Sequence, residues 1–163
     1  MRMDPFTIRW AGPADHEALG EVVFDAVRNG RSFYDEAQRK AWAAAPPKGE
    51  AWDARLGAQE IVAVEAPGRI VGFMSLAGHG YVDFAYIRPE AQGSGLFARM
   101  LAMIEGRARA KGETRLWVHA SLMAEPAFAA HGFALVLRER VTIGDQLLDR
   151  CEMEKYLDPP GVG

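Results

Sequence analysis

The six residues Gln92-Gly93-Ser94-Gly95-Leu96-Phe97 constrain this chain most, because they join a strand-like run, Tyr81 to Ile87, to a helical run, Leu96 to Lys111. Glycines in such a turn let the backbone approach a ligand. The unpaired amides of the helix's first turn then point at that ligand with the positive end of the macrodipole. A phosphate suits such a cradle. A dinucleotide fold would require G-x-G-x-x-G with an acidic residue about 20 residues further on, and the match stops at two glycines. A P-loop would require G-x-x-x-x-G-K-[ST], and no lysine follows. An ordinary connection is the remaining alternative, since glycine pairs are common turn punctuation.

Hydrophobic periodicity places the rest. Phe6 to Trp10 alternates as a first strand, and Gly12-Pro13-Ala14-Asp15 breaks it before a helix through about Val27 with Leu19, Val22, Val23 and Ala26 on one face. A second helix is expected from Tyr34 to Ala44, with Tyr34, Gln38 and Trp42 on one side, and Pro46-Pro47 ends it. Gln59 to Glu65 and Arg69 to Ala77 read as a hairpin around Ala66-Pro67-Gly68. Beyond the glycine turn come a helix closed by Gly112, a strand from Arg115 to Ala120 and a short helix from Ala124 to Ala130. Phe133 to Thr142 and Gln146 to Tyr156 form a last hairpin turning at Gly144-Asp145. The order is βααβββαβαββ, in one domain over residues 1–157 with a Pro/Gly tail over 158–163.

At 163 residues the chain can bury a core without staples, and 49% hydrophobic with 25% charged residues is ordinary for a globular protein. One cysteine, Cys151, excludes an internal disulfide and is expected as a small core residue of the last strand. A net charge of −3 gives no basic footprint for nucleic acid. No apolar stretch reaches the 18 or so residues of a membrane span, and the N-terminus lacks a signal-peptide pattern, so a cytoplasmic location is expected. His16, His79, His119 and His131 lack paired ligand spacing, so no metal is expected, and no Gly-x-Ser-x-Gly elbow is present.

Ile87-Arg88-Pro89-Glu90-Ala91-Gln92-Gly93-Ser94-Gly95, with Ser121-Leu122-Met123-Ala124 and Phe128-Ala129-Ala130-His131-Gly132-Phe133 downstream, resembles the GNAT superfamily of N-acetyltransferases. The family pattern is roughly V-x-P-x-x-[RQ]-G-x-G-x-[GA], followed by N-x-x-A-x-x-x-Y-x-x-x-G-F. The likeness spans about residues 60 to 157. Phe97 replaces the last small residue of the first motif, Ser121 the Asn and Phe128 the Tyr. The ending Met153 to Leu157 is similar to the closing strand of a bacterial subgroup.

The resemblance implies an α/β protein of the α+β type, with a mixed, mostly antiparallel sheet that splays between Tyr81–Ile87 and Arg115–Ala120. It implies acetyl-CoA as cosubstrate, its pantetheine arm in the splay and its pyrophosphate on the amides of Gln92, Gly93, Ser94, Gly95, Leu96 and Phe97. Backbone groups of Tyr86, Ile87 and Arg88 would pair with pantetheine, and an amide there would polarise the thioester carbonyl. The Arg88 side chain is expected in solvent or beside phosphate, and Ser121 and Phe128 beside the CoA arm. The acetyl group would pass directly to a small-molecule or peptide amine in a ternary complex. A homodimer is compatible with the resemblance.

Asp83 and Tyr81 lie four and six residues before Ile87, on one side of the strand, at spacings that match family positions often carrying a Glu or His base. The alternative for Asp83 is a local contact with a backbone amide or a cation. Phe128 has no proton for the departing thiolate, which leaves Tyr86, His131, water or unassisted departure, since a thiol pKa of about 8.5 makes the thiolate a fair leaving group. Arg31, Ser32 and Tyr34 are expected to wall the acceptor site, the alternative being an ordinary polar connection. Two further readings are an acyl-CoA-binding sensor without transfer, which Phe128 motivates, and a transferase using another donor such as succinyl-CoA.

Overall fold

The strand Glu60–Ala66 sends Ile61 and Ala63 into one core and Val62 and Val64 into the other. A strand buried on both faces needs cover on both. In the computed structural model, which describes residues 4–158, this strand is β2, between β1 (Thr7–Trp10) and β3 (Arg69–Leu76). The others are β4 (Tyr81–Ile87), β5 (Arg115–Ser121), β6 (Ala134–Ile143) and β7 (Gln146–Tyr156), and the sheet order is β1-β2-β3-β4-β5-β7-β6. Neighbours are antiparallel except β4 and β5, which run parallel. The expected mixed, mostly antiparallel sheet is present.

One face carries α4 (Leu96–Ala110), whose Leu96, Met100, Leu101, Ile104 and Ala108 pack with Val62, Val64 and Met74, and α5 (Glu125–Ala130), whose Phe128 joins the same core. The other carries α1 (His16–Asn29), α2 (Glu36–Trp42) and α3 (Glu50–Gly57). Leu19, Val22, Val23 and Val27 of α1 and Trp52 and Leu56 of α3 close over Ile61, Phe73 and Phe84. The order is therefore βαααβββαβαββ, one helix more than the sequence pattern indicates. Only Trp52 and Leu56 of α3 are buried, and the Trp52 indole donates to the His16 carbonyl at 2.7 Å, so a tertiary contact rather than an apolar stripe holds this helix. The second helix starts at Glu36, later than Tyr34, because Asp35 and Gln38 form a reciprocal capping box.

The splay has a local cause. Val82 pairs with Leu76 and Ala85 with Met74, so two residues of β4, Asp83 and Phe84, oppose the single Ser75. This bulge adds twist and bends β4 away from its neighbour. Pairing with β5 is confined to Tyr81 with Trp117 and Val82 with Val118, just before the bulge. Buried Ser75 accepts the Phe84 amide at 3.0 Å, which satisfies a donor that the ladder no longer uses. Cys151 is buried in β7, as expected, and burial pushes its thiol up to about 11. Residues 159–163 of the expected tail lie outside the described residues. No helix among the described residues is long and apolar enough to cross a membrane.

Candidate active site

Gly93 and Gly95 both take left-handed backbone, at φ 79° and 76°. A side chain there would be strained, at about 1–2 kcal/mol for each position. A Cβ on either meets nothing within 4 Å, so the space over the turn is open. Gly95 is the N-cap of α4, and no side chain caps the helix's first turn. The amide of Gln92 donates to Pro89 at 3.3 Å and its side chain donates to the Ile87 carbonyl at 3.2 Å, so Gln92 fastens the turn to β4. The exposed, uncapped amides that can receive an anion therefore begin after Gln92.

Past Val82, one edge of β4 has no strand partner. Backbone groups alternate along a strand, and the Arg88 amide donates to Val71 of β3 at 2.7 Å. Tyr86 thus turns its backbone groups, and Arg88 its amide, to β3, while the Arg88 carbonyl accepts the Ala91 amide at 3.0 Å. Ala85 and Ile87 turn theirs to the open edge, where the Ile87 carbonyl already accepts from Gln92. Of the three residues expected to pair with pantetheine, Ile87 is the one so oriented. The Arg88 side chain is not solvated: it is 9% exposed, its Nε donates to the Ile70 carbonyl at 2.9 Å and its Nη1 to Asp25 Oδ2 at 2.9 Å. It ties β4 to α1, away from the glycine turn.

Two cavities meet at this strand. The first, of about 240 Å³, runs along the open edge between Ala85, Ile87, Gly93, Phe97 and Met123. Arg31 and Ser32 line it too, instead of walling an acceptor site on the far side. The reason is the end of α1 at Asn29, which drops the following loop over Gln92 and Gly93. Ser121 borders this cavity, and its Oγ accepts the Ala124 amide at 3.1 Å. Phe128 does not. It is 1% exposed, stacked edge-on against Phe97 and Phe133 with ring centroids 4.9 Å apart in each case, so it shapes the cleft from behind Phe97. His131 Nδ1 donates to the Ala127 carbonyl at 2.8 Å, and the ring lines neither cavity.

The second cavity, of about 360 Å³, opens on the bulged side of β4 and is lined by Tyr81, Asp83, Phe84, Trp52 and Arg55, among others. Trp42, Tyr86 and Ser121 border both cavities, so the two lie side by side at these residues. Tyr34 also lines the second cavity, but its hydroxyl is committed. It donates to the Asp149 carbonyl at 2.6 Å and accepts the Leu122 amide at 2.9 Å. It bolts the loop before α2 to β7 and to the turn after β5.

Asp83 is held by two side chains. Arg55 donates Nε to Oδ2 at 2.9 Å and Nη2 to Oδ1 at 2.7 Å, and Gln59 adds a bond to Oδ2 at 2.7 Å. The guanidinium also lies 4.4 Å over the Phe84 ring. Arg55 is on α3, the helix that the sequence pattern does not announce, so no local signal pairs it with Asp83. Tyr81 meets a second residue that spacing did not single out, His119, whose Nδ1 is 3.0 Å from the hydroxyl. Burial, with Asp83's charge adding to it, pushes the hydroxyls of both Tyr81 and Tyr86 upward, so each keeps its proton at neutral pH.

The proteins that share this fold are acyltransferases. The chain belongs to the GNAT family: the model of the acetyltransferase (GNAT) domain matches residues 29–157. Among curated proteins, an uncharacterized N-acetyltransferase, YafP, of Escherichia coli is 29% identical over 140 residues, covering 85% of this chain and 88% of that protein. An L-methionine sulfoximine/L-methionine sulfone acetyltransferase of Pseudomonas paraeruginosa is 32% identical over 119 residues, 65% of each chain. A GCN5-related N-acetyltransferase structure from Rhodopseudomonas palustris superposes with a TM-score of 0.85 at 28% identity, over 96% of this chain and 99% of that one. A similar fold, at TM-score 0.66 and 23% identity over 98% of each chain, is that of yncA from Salmonella typhimurium, determined with its cofactor acetyl-CoA.

Proposed function

We propose that this enzyme transfers the acetyl group of acetyl-CoA to the primary amine of a small acidic acceptor, by direct attack within a ternary complex. One observation carries the reading: a cleft bounded by the open edge of β4 and the glycine turn meets, at Trp42, Tyr86 and Ser121, a second cavity rich in ionisable groups. The first suits a pantetheine arm whose pyrophosphate rests on the amides of Gly93, Ser94, Gly95, Leu96 and Phe97. The second suits the acceptor. A thioester at their junction lies within reach of an amide on the free edge of β4, and one such donor to a developing oxyanion contributes about 3 kcal/mol in other enzymes.

An acidic acceptor follows from the guanidinium groups of Arg55 and Arg150, which both line the second cavity. Asp83 takes two of Arg55's five N–H donors and Glu139 takes Nε of Arg150 at 2.6 Å, which leaves others for a substrate carboxylate. The methionine sulfoximine and sulfone named for the Pseudomonas relative are α-amino acids, each with a carboxylate beside its amine. Asp83, with both oxygens engaged, places Arg55 rather than takes a proton. Tyr81 faces the amine, and Tyr86, at the junction, supplies a proton to the departing thiolate in the absence of a tyrosine at position 128.

Free-thiol release from acetyl-CoA, measured over L-methionine sulfone, a peptide with a free N-terminus and an aminoglycoside, tests this. Turnover highest with the amino acid is expected. Acetyl-CoA binding without thiol release from any of them would overturn it.

A further inference from the structure

We propose that His119 is the terminal proton acceptor of the transfer, receiving the acceptor amine's proton through the hydroxyl of Tyr81. The proposal rests on the acetyl-transfer reading above and adds a residue to it. His119 sits on β5 directly across from Glu152 of β7, and it lines the second cavity together with Tyr81. Its Nδ1 is 3.0 Å from the Tyr81 hydroxyl, and Nε2 is 3.7 Å from Glu152 Oε1 and 3.9 Å from Glu139 Oε1. The row therefore runs from the cavity, through a phenol and an imidazole, to two carboxylates.

Its polarity is set by its ends. Carboxylates favour an N–H on the near nitrogen, so Nε2 carries the hydrogen and Nδ1 is left as an acceptor. The Tyr81 hydroxyl then donates to Nδ1 and turns its lone pairs to the cavity. An ammonium there gives a proton to Tyr81 Oη as the phenol's own proton passes to Nδ1. One N–H bond of the substrate breaks, one Nδ1–H bond forms, and the amine's lone pair is freed for the thioester carbonyl carbon. The imidazolium is stabilised by Glu152 and Glu139.

The surrounding charges favour this route over a carboxylate base. From β4 the groups facing the pair are Tyr81 itself and Asp83, which Arg55 of α3 neutralises. From β7 they are Glu152 and Arg150, and from β6 Glu139, which pairs with Arg150.

Two measurements test the proposal. Long-range ¹H–¹⁵N spectra of the histidines, with His119→Asn for assignment, should show His119 with its hydrogen on Nε2 and Nδ1 bare, and Tyr81→Phe should shift the Nδ1 resonance. A hydrogen on Nδ1, or no response to Tyr81→Phe, would overturn the relay. With L-methionine sulfone and acetyl-CoA, His119→Asn keeps an acceptor for the phenol but cannot hold the proton. Its kcat should fall by about 100-fold, the acidic limb of the kcat profile should vanish, and the KM for acetyl-CoA should stay as in the wild type. Wild-type kcat with the limb intact would overturn the proposal. Absence of wild-type turnover would count against the acceptor assignment instead, and the tautomer would then decide for His119.

Discussion

Arg55 grips both carboxylate oxygens of Asp83, with Nε 2.9 Å from Oδ2 and Nη2 2.7 Å from Oδ1. Asp83 is on the bulge of β4 and Arg55 on α3, so the pair joins the strand that opens the site to the helix that covers it. It also leaves a partly exposed guanidinium at the cavity wall, where it can meet a substrate carboxylate.

Asp83→Asn keeps the shape of the side chain and removes its charge. Turnover at neutral pH should fall less than about tenfold, an effect under about 1.4 kcal/mol, and the acidic limb of the pH profile should persist, because the proton goes elsewhere. Loss of that limb would return Asp83 to the role of base. Arg55→Met should instead raise the KM of an acidic acceptor and leave that of acetyl-CoA unchanged.

Tyr34→Phe removes one hydroxyl that serves two backbone groups, the Asp149 carbonyl and the Leu122 amide. Leaving such groups unpaired costs about 1–3 kcal/mol, so thermal melting should drop by several degrees. Leu122 follows Ser121, which borders both cavities, so both Michaelis constants should rise together. A change confined to the acceptor would give Tyr34 a direct contact with substrate.

Phe128 packs between Phe97 and Phe133 with almost no exposure. Phe128→Ala should cost about 3–5 kcal/mol of stability, the usual range for emptying a buried aromatic site. Phe128→Tyr should leave kcat no higher than in the wild type, because the ring borders neither cavity. A gain in kcat would show that position 128 reaches the thiolate after all.

Asp25 ties α1 to β4 through Arg88. Burial raises its carboxyl, but hydrogen bonds from Asn29 and Arg88 and the charges of Arg88 and Arg69 outweigh that and hold it below the usual carboxylate range. A folded-state value that is depressed contributes stability above the unfolded value, about 4, and loses it as pH falls through the folded one. Melting temperature should therefore decline below about pH 4. Arg88→Met should lower it at neutral pH, and the gap between variant and wild type should narrow toward pH 3. A gap that widens in acid would contradict the pairing.

Sequence alone disclosed the features that rest on local chemistry. The two glycines, the helix with buried Leu101 and Ile104, and the hairpin turning at Gly144-Asp145 all appear where their residue types place them. It missed α3, whose burial amounts to Trp52 and Leu56, because the energy that holds it comes from α1 and the sheet. With α3 went the partner of Asp83. The bulge at Asp83 and Phe84 was equally hidden, since it is a mismatch between two strands and not a property of either. His119 is 38 residues from Tyr81, and nothing but the parallel pairing of β4 with β5 brings them together. Arg31 and Ser32 line the cavity at the glycine turn rather than the one that holds Asp83, because the end of α1, which aims their loop, depends on packing that spacing does not report.

Calorimetric titration of acetyl-CoA into the wild type and Gly95→Glu tests the central claim most directly. Gly95 is left-handed, exposed and at the N-cap of α4, so glutamate there adds strain, bulk and negative charge where the pyrophosphate would rest. The wild type should bind, with a gain of about 2.7 kcal/mol in stability at a hundredfold excess over Kd, and a folded Gly95→Glu should give no binding heat. Equal affinity in the two proteins would contradict the placement of the cofactor on this turn.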